Sequence, residues 1–159
     1  MPLVIGVGNP LRQDDGLGFH VVAALREAGV PADLLHVPEL GPDLAERVAA
    51  ADKVVFLEAS SEGPAGEMLC QAVGPAAELT PASRGLSPAM LLLYAQRLHG
   101  RAPQAVTVSV GGESFGVGDH LSSRLQELLP KVLRCVLCIL QGEEQGLVQV
   151  QPRRRPARG

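Results

Sequence analysis

Residues 3–18 read Leu3-Val4-Ile5-Gly6-Val7-Gly8-Asn9-Pro10-Leu11-Arg12-Gln13-Asp14-Asp15-Gly16-Leu17-Gly18. Leu3–Gly8 is a short apolar run, partly β-branched and bounded by glycine, which predicts a buried strand. Asn9–Gly16 is polar and predicts a loop. From Leu17 to Ala28 the spacing changes to that of a helix, with Leu17, Val21, Val22, Leu25 and Ala28 on one face. Gly29 and Pro31 stop that helix.

The alternation continues along the chain. Leu34–Pro38 reads as a second strand. Gly41-Pro42 opens a second helix, with proline at an early position where its missing N–H costs nothing, and Leu44 and Val48 share its inner face. Val54–Glu58 is a third strand, apolar until its last residue, and Glu67–Val73 a fourth. Gly74–Leu86, rich in Pro, Ala and Gly, reads as a long loop. Ser87-Pro88 supplies an N-cap and a proline at the first helical position, and Gly100 closes that helix. Ala105–Val110 is a further strand. Ser122 or Ser123 caps a last helix running to about Leu140, which Pro130 is expected to kink or split. Leu147–Val150 is a possible closing strand. Strands alternating with helices predict a three-layer α/β/α sandwich around a mostly parallel, possibly mixed, open sheet. Residues 1–141 are expected to form one domain, and 142–159 an extension ending in a basic, solvated tail.

The bulk numbers agree with a globular chain. Its 159 residues suffice for one domain with a proper core. Apolar residues make up 46% and charged residues 19%, which excludes intrinsic disorder as the general state. There is no Trp, one Tyr and three Phe, so the core must be aliphatic and aromatic base-stacking surfaces are not expected. The net charge is −3, but four arginines lie in residues 151–159. Without them 10 basic residues stand against 17 acidic ones, a body of net −7 that is a poor phosphate binder. Nucleic acid is therefore not an expected partner. The Pro-Arg tail reads most simply as a solvated terminus. Met-Pro-Leu-Val-Ile-Gly has no basic leader, and the apolar stretches are too short and broken to span a bilayer. Three cysteines, an odd number, do not make a disulfide framework. A cytoplasmic protein with no membrane insertion is expected.

In an open α/β sheet, ligands bind beyond the carboxyl ends of the strands. Two acidic features are expected there: Asp14-Asp15 after the first strand and Glu58 at the end of the third. As a dinucleotide fingerprint the first loop fails twice. Leu11 stands where G-x-G-x-x-G needs its third glycine, and two carboxylates would repel a pyrophosphate. The plainer reading is that both aspartates favour the N-terminus of the next helix. That explains one aspartate better than a pair flanked by Gly16 and Gly18. Taken alone, Glu58 reads more simply as a surface turn acid than as a ligand-facing one.

Gly6–Leu11 followed by Asp14-Asp15-Gly16-Leu17-Gly18 resembles the opening signature of the hydrogenase maturation proteases, endopeptidases that trim the C-terminus of the [NiFe]-hydrogenase large subunit. Val54–Ala59 with Pro64-Ala65-Gly66, Ser83–Pro88 with the leucine-rich helix behind it, and Gly118 to Leu129 resemble later parts of the same family. The likeness covers roughly residues 3–140. It implies a peptidase that recognises nickel already carried by its substrate, the large-subunit precursor, with no other cofactor. Three side chains at the sheet's end are implied as metal contacts. The first matches Asp15, which is also the implied catalytic acid. The second matches Glu58, where the family has an aspartate. The third is a histidine, and Arg84 stands at its place. Asn9 and Asp14 are implied to shape the loop. Arginine is permanently protonated and offers a metal no lone pair. Arg84 could replace the metal's charge by pairing with Asp15 or Glu58, or simply reach into solvent. This departure makes an inactive, chaperone-like relative the rival reading, with a small-molecule hydrolase more distant. Asp15, Glu58 and Arg84 are expected to border one cleft.

The remaining candidates read as structural. His20 lies near Asp15 on the first helix, His36 inside the second strand, His99 at a helix end and His120 before the last helix. None has a metal-ligand spacing such as H-x₃-H. Cys135-Val136-Leu137-Cys138 lies deep in a helix, where core packing explains it better than redox chemistry. There is no G-x-S-x-G elbow.

Overall fold

A computed structural model describes residues 1–81 and 85–142. The chain alternates as predicted: β1 (Leu3–Val7), α1 (Leu17–Glu27), β2 (Asp33–Val37), α2 (Ala45–Ala50), β3 (Lys53–Ser60), β4 (Met68–Val73), α3 (Pro88–His99), β5 (Gln104–Gly111) and α4 (Ser123–Leu140). Short 3-10 turns at Gln13–Gly16 and Pro42–Leu44 lead into α1 and α2. The strand order is β2-β1-β3-β5-β4. The first four are mutually parallel, and β4 runs antiparallel at the edge beside β5. The sheet is therefore mixed but mostly parallel.

Side chains alternate across each strand, so the sheet builds two cores. Val4, Val55, Leu57, Val106 and Val108 face α1 and α4. Leu3, Ile5, Val54, Phe56 and Ala105 face α2 and α3. Helices cover both faces, giving the three-layer sandwich. The cores are aliphatic; Phe56 is the one aromatic among the large, fully buried side chains of the described residues.

Local chemistry sets the ends of the helices. Ser87 caps α3 by accepting the Met90 N–H at 3.2 Å, Pro88 occupies the first turn, and Gly100 closes the helix at φ +76°. Ser122, the first of the two serines considered, caps α4 by accepting the Leu125 N–H. Pro130 does not split α4, which runs unbroken from Ser123 to Leu140. Pro130 is exposed, so the carbonyl left without its N–H partner can bond water. Leu125 before it and Val132, Cys135, Val136 and Ile139 after it hold both halves against the sheet. Cys135 packs with its thiol sulfur 2.9 Å from that of Cys70 on β4, and all three cysteines are free. The strand expected at Leu147–Val150 and the basic tail lie outside the described residues. Among the described residues no helix is long and apolar enough to cross a membrane.

Candidate active site at the carboxyl edge of the sheet

β1 leads through α1 to β2 on one side of the sheet, while β3 lies on the other side of β1. The connection reverses direction there, and the carboxyl ends of β1 and β3 flank the resulting crevice. β3 pairs with β1 only as far as Gly6↔Leu57, but with β5 as far as Ser60↔Gly111. Glu58 is thus not the last residue of its strand, as the sequence suggested. It is the first residue past the β1 pairing, and its ladder continues on the β5 side alone.

The loop after β1 folds tightly because its glycines permit it. A Cβ on Gly8, at φ +135°, would lie 2.0 Å from the Asp15 backbone oxygen. A Cβ on Gly6 would lie 2.3 Å from the Gly18 oxygen, so α1 begins directly against β1. Gln13 takes φ +49°, an uncommon value for a residue with a side chain, and its Oε1 accepts the Gly116 N–H at 3.0 Å. The Gln13 N–H donates to Gly118 O, and the Gly118 N–H to Leu11 O. The loop is therefore bound along its length to the segment between β5 and α4.

The two neighbouring aspartates have opposite surroundings. Asp14 is 0% exposed. Its Oδ2 accepts the N–H groups of Glu113 (2.8 Å) and Ser114 (3.1 Å) and the Ser122 hydroxyl (2.8 Å), and its Oδ1 accepts the Ser122 N–H at 2.7 Å. Burial pushes its pKa up, but the bonds from Ser122, Glu113 and Ser114 outweigh this and hold it below the usual aspartate value. Asp14 is thus an anionic pin between the β1–α1 loop and the start of α4.

Asp15 faces outward, with its side chain 25% exposed. Its Oδ2 accepts the Asn9 N–H at 2.8 Å, and the Arg12 guanidinium stands 3.9 Å away. No donor to Oδ1 is found among the described residues. Asn9 turns its own side chain inward, its Oδ1 accepting the Leu11 N–H at 2.9 Å. Glu58 is open to solvent on part of its surface. Desolvation of its carboxyl raises its pKa, and the negative charge of Asp15 raises it further. Asp15 is close enough to Glu58 for its charge to oppose the ionisation of Glu58. A cation arriving between them would relieve that repulsion.

Arg84 lies outside the described residues. Past it, Leu86 donates its N–H to Leu40 O at 2.8 Å, which places that segment against the loop leaving β2. His20 lies beside Asp119. Its ring bonds the Asp119 backbone, its Nε2 is buried without a partner among the described residues, and burial lowers its pKa. His99 ends α3, and His120 is exposed beside Asp119. No three His, Cys, Asp or Glu side chains converge as a metal cage among the described residues. Asp15 and Glu58 supply oxygens suited to completing the shell of a metal held by other ligands. The feature missed from the sequence is His36, whose Nε2 reaches Gly8 O at 2.8 Å. Its place inside a strand gave no sign of that bond.

No protein-family model matches the chain, and no curated protein matches it significantly. Solved structures do. The hydrogenase maturating endopeptidase HybD from E. coli is 25% identical, with a TM-score of 0.68 over 89% of this chain and 92% of that one. The [NiFe] hydrogenase maturation protease HycI from Thermococcus kodakarensis is 24% identical, with a TM-score of 0.69 over 88% and 92%. The hydrogenase 2 maturation peptidase from a Thaumarchaeota archaeon is 21% identical, with a TM-score of 0.65 over 90% and 99%. The chain is a structural relative of the hydrogenase maturation proteases. The likeness runs over nearly the whole of both chains, so no large part of the maturation-protease fold is missing.

Proposed function

We propose that this chain is an endopeptidase that removes the C-terminal extension of a [NiFe]-hydrogenase large-subunit precursor, with nickel already seated in the precursor as the recognition element. The observation that carries this reading is the Asp15–Glu58 carboxyl pair at the crevice between β1 and β3, in a fold shared with the endopeptidase HybD. Two oxygen donors and no histidine make a poor resident nickel site. They suit a metal that arrives with most of its ligands, because each carboxylate need add only one bond.

Asp15 is the working acid. Its Oδ2 is held by the Asn9 N–H, which leaves Oδ1 to contact the metal or to take a proton from the attacking water. Glu58 is the second oxygen ligand. Burial and the Asp15 charge raise its pKa, so in acid a proton competes with the metal for this carboxylate. Asp14 is the fixed anchor. Arg84, where the resemblance places a histidine, favours a second reading in which the chain binds the precursor as an assembly module and cuts slowly or not at all.

The test is incubation with large-subunit precursor prepared with and without nickel, followed by mass measurement. Loss of the C-terminal extension from the loaded form alone supports the proposal. Stable binding without a cut supports the assembly module, and a cut independent of nickel removes the metal from the mechanism.

A further inference from the structure

One peptide unit lies between a histidine and the candidate catalytic acid. The Gly8 carbonyl oxygen contacts His36 Nε2 at 2.8 Å, and the Asn9 N–H of the same peptide donates to Asp15 Oδ2 at 2.8 Å. A carbonyl oxygen has only lone pairs, so His36 Nε2 carries the hydrogen and its tautomer is set. The register of the sheet makes this reach possible. His36 on β2 stands opposite Gly6 on β1, where no side chain blocks the path along the strand to Gly8. Phe19 on α1 meets the imidazole edge-on, with centroids 5.3 Å apart, and steadies the ring. The Gly8 N–H is bonded to Val37 O at 3.0 Å, so β2 holds Gly8 through both its backbone and His36.

We propose that His36 is a positioning residue for Asp15, acting through the Gly8–Asn9 peptide. This rests on the reading of Asp15 as the working carboxylate. A donor on the Gly8 carbonyl polarises the peptide, which makes the Asn9 N–H a better donor to the carboxylate. It also fixes the plane of that peptide, and with it the direction in which Asp15 presents Oδ1. Without the imidazole, the carbonyl of a buried glycine loses its side-chain donor and the peptide is held less firmly, through its Asn9 N–H.

The test compares His36→Leu, which removes the donor, with His36→Gln, whose amide N–H reaches about as far as Nε2. His36→Asn, whose amide stops short, is a second loss variant should the leucine form fail to fold. The Asn9 amide proton shift in the full-length protein is one readout, and kcat and KM on nickel-loaded precursor are the other. The Leu or Asn form should move the Asn9 amide upfield and lower kcat by about tenfold or more, with KM within about twofold, as expected when a reacting group is misplaced while substrate binding stays intact. His36→Gln should recover most of both. An unmoved Asn9 amide in the loss variants overturns the proposal, as does a glutamine form that keeps its fold yet is as impaired as leucine. If the parent protein does not cut the precursor, the peptidase reading fails, while the Asn9 amide still decides whether His36 acts on this peptide.

Discussion

Replacing Asp14 with alanine should cost far more stability than a typical substitution in a loop. Its carboxylate is completely buried and receives three backbone N–H groups and one hydroxyl. The Ser122 hydroxyl can rotate to another acceptor, but the N–H groups of Glu113, Ser114 and Ser122 cannot. Each buried donor left unpaired costs roughly 1–3 kcal/mol. Some water will enter the space vacated, so the full sum is not expected. An overall loss of about 3–5 kcal/mol, the lower part of the sum over three unpaired donors, is the expected value. That is a large fraction of the roughly 5–15 kcal/mol available to a domain, and it corresponds to a fall in Tm of about 6–20 °C. Urea unfolding of the two proteins measures it. The pH dependence supplies a second check. Hydrogen bonds hold the folded pKa of Asp14 below its unfolded value despite the opposing effect of burial. Its stabilisation is therefore complete above the ordinary aspartate pKa of about 3.9 and is lost as pH falls through the lower, folded value. The gap between parent and Asp14→Ala should narrow in that acid window. A loss under about 1 kcal/mol at neutral pH would show that these four bonds do not pin the loop.

Glu58→Gln should raise Tm at neutral pH. The folded pKa of Glu58 is raised by burial and by Asp15, so its charged form opposes folding, and the gain should vanish in acid where the parent is already protonated. In carboxyl-carbon NMR titrations, Asp15→Asn should lower the Glu58 midpoint, and an unchanged midpoint would mean the two groups do not share a site. Gly8→Ala places a methyl group 2.0 Å from the Asp15 oxygen at φ +135°, so both precursor processing and Tm should fall; a variant with parental activity would contradict the tight-loop geometry. Arg84→His should strengthen nickel binding in calorimetry by adding a nitrogen ligand and removing a charge, and Asp15→Ala in that background should abolish the gain. No change with Arg84→His would mean that another group supplies the third contact.

Much of the fold was legible because its signals are local. The switch between strand and helix periodicity, the Ser87-Pro88 start and the Gly100 stop of α3 all act within a few residues. The edge position of β4 and its antiparallel direction depend on pairing with β5, which no local pattern encodes. Glu58 was expected at a strand end because its apolar run stops there, yet hydrogen bonding to β5 carries β3 on to Ser60. Asp14 and Asp15 are indistinguishable as a dipeptide. A 3-10 turn sends one inward to the start of α4 and the other outward to the crevice, and the partners that separate them lie about a hundred residues away. His36 looked like an ordinary strand residue because its bond to Gly8 depends on the register between β1 and β2. Pro130 is a local breaker signal that tertiary structure overrides: packing on both sides of it holds α4 continuous.

In the proposed function, Asp15 and Glu58 form the working centre of a peptidase for a nickel-bearing precursor. The most direct measurement is the intact mass of nickel-loaded large-subunit precursor after incubation with the parent protein and, in parallel, with Asp15→Asn. The parent should release one C-terminal peptide and leave a single shortened product, while Asp15→Asn, still folded, should leave the precursor at full length. An uncut precursor with the parent, or equal cutting by both proteins, would contradict that function.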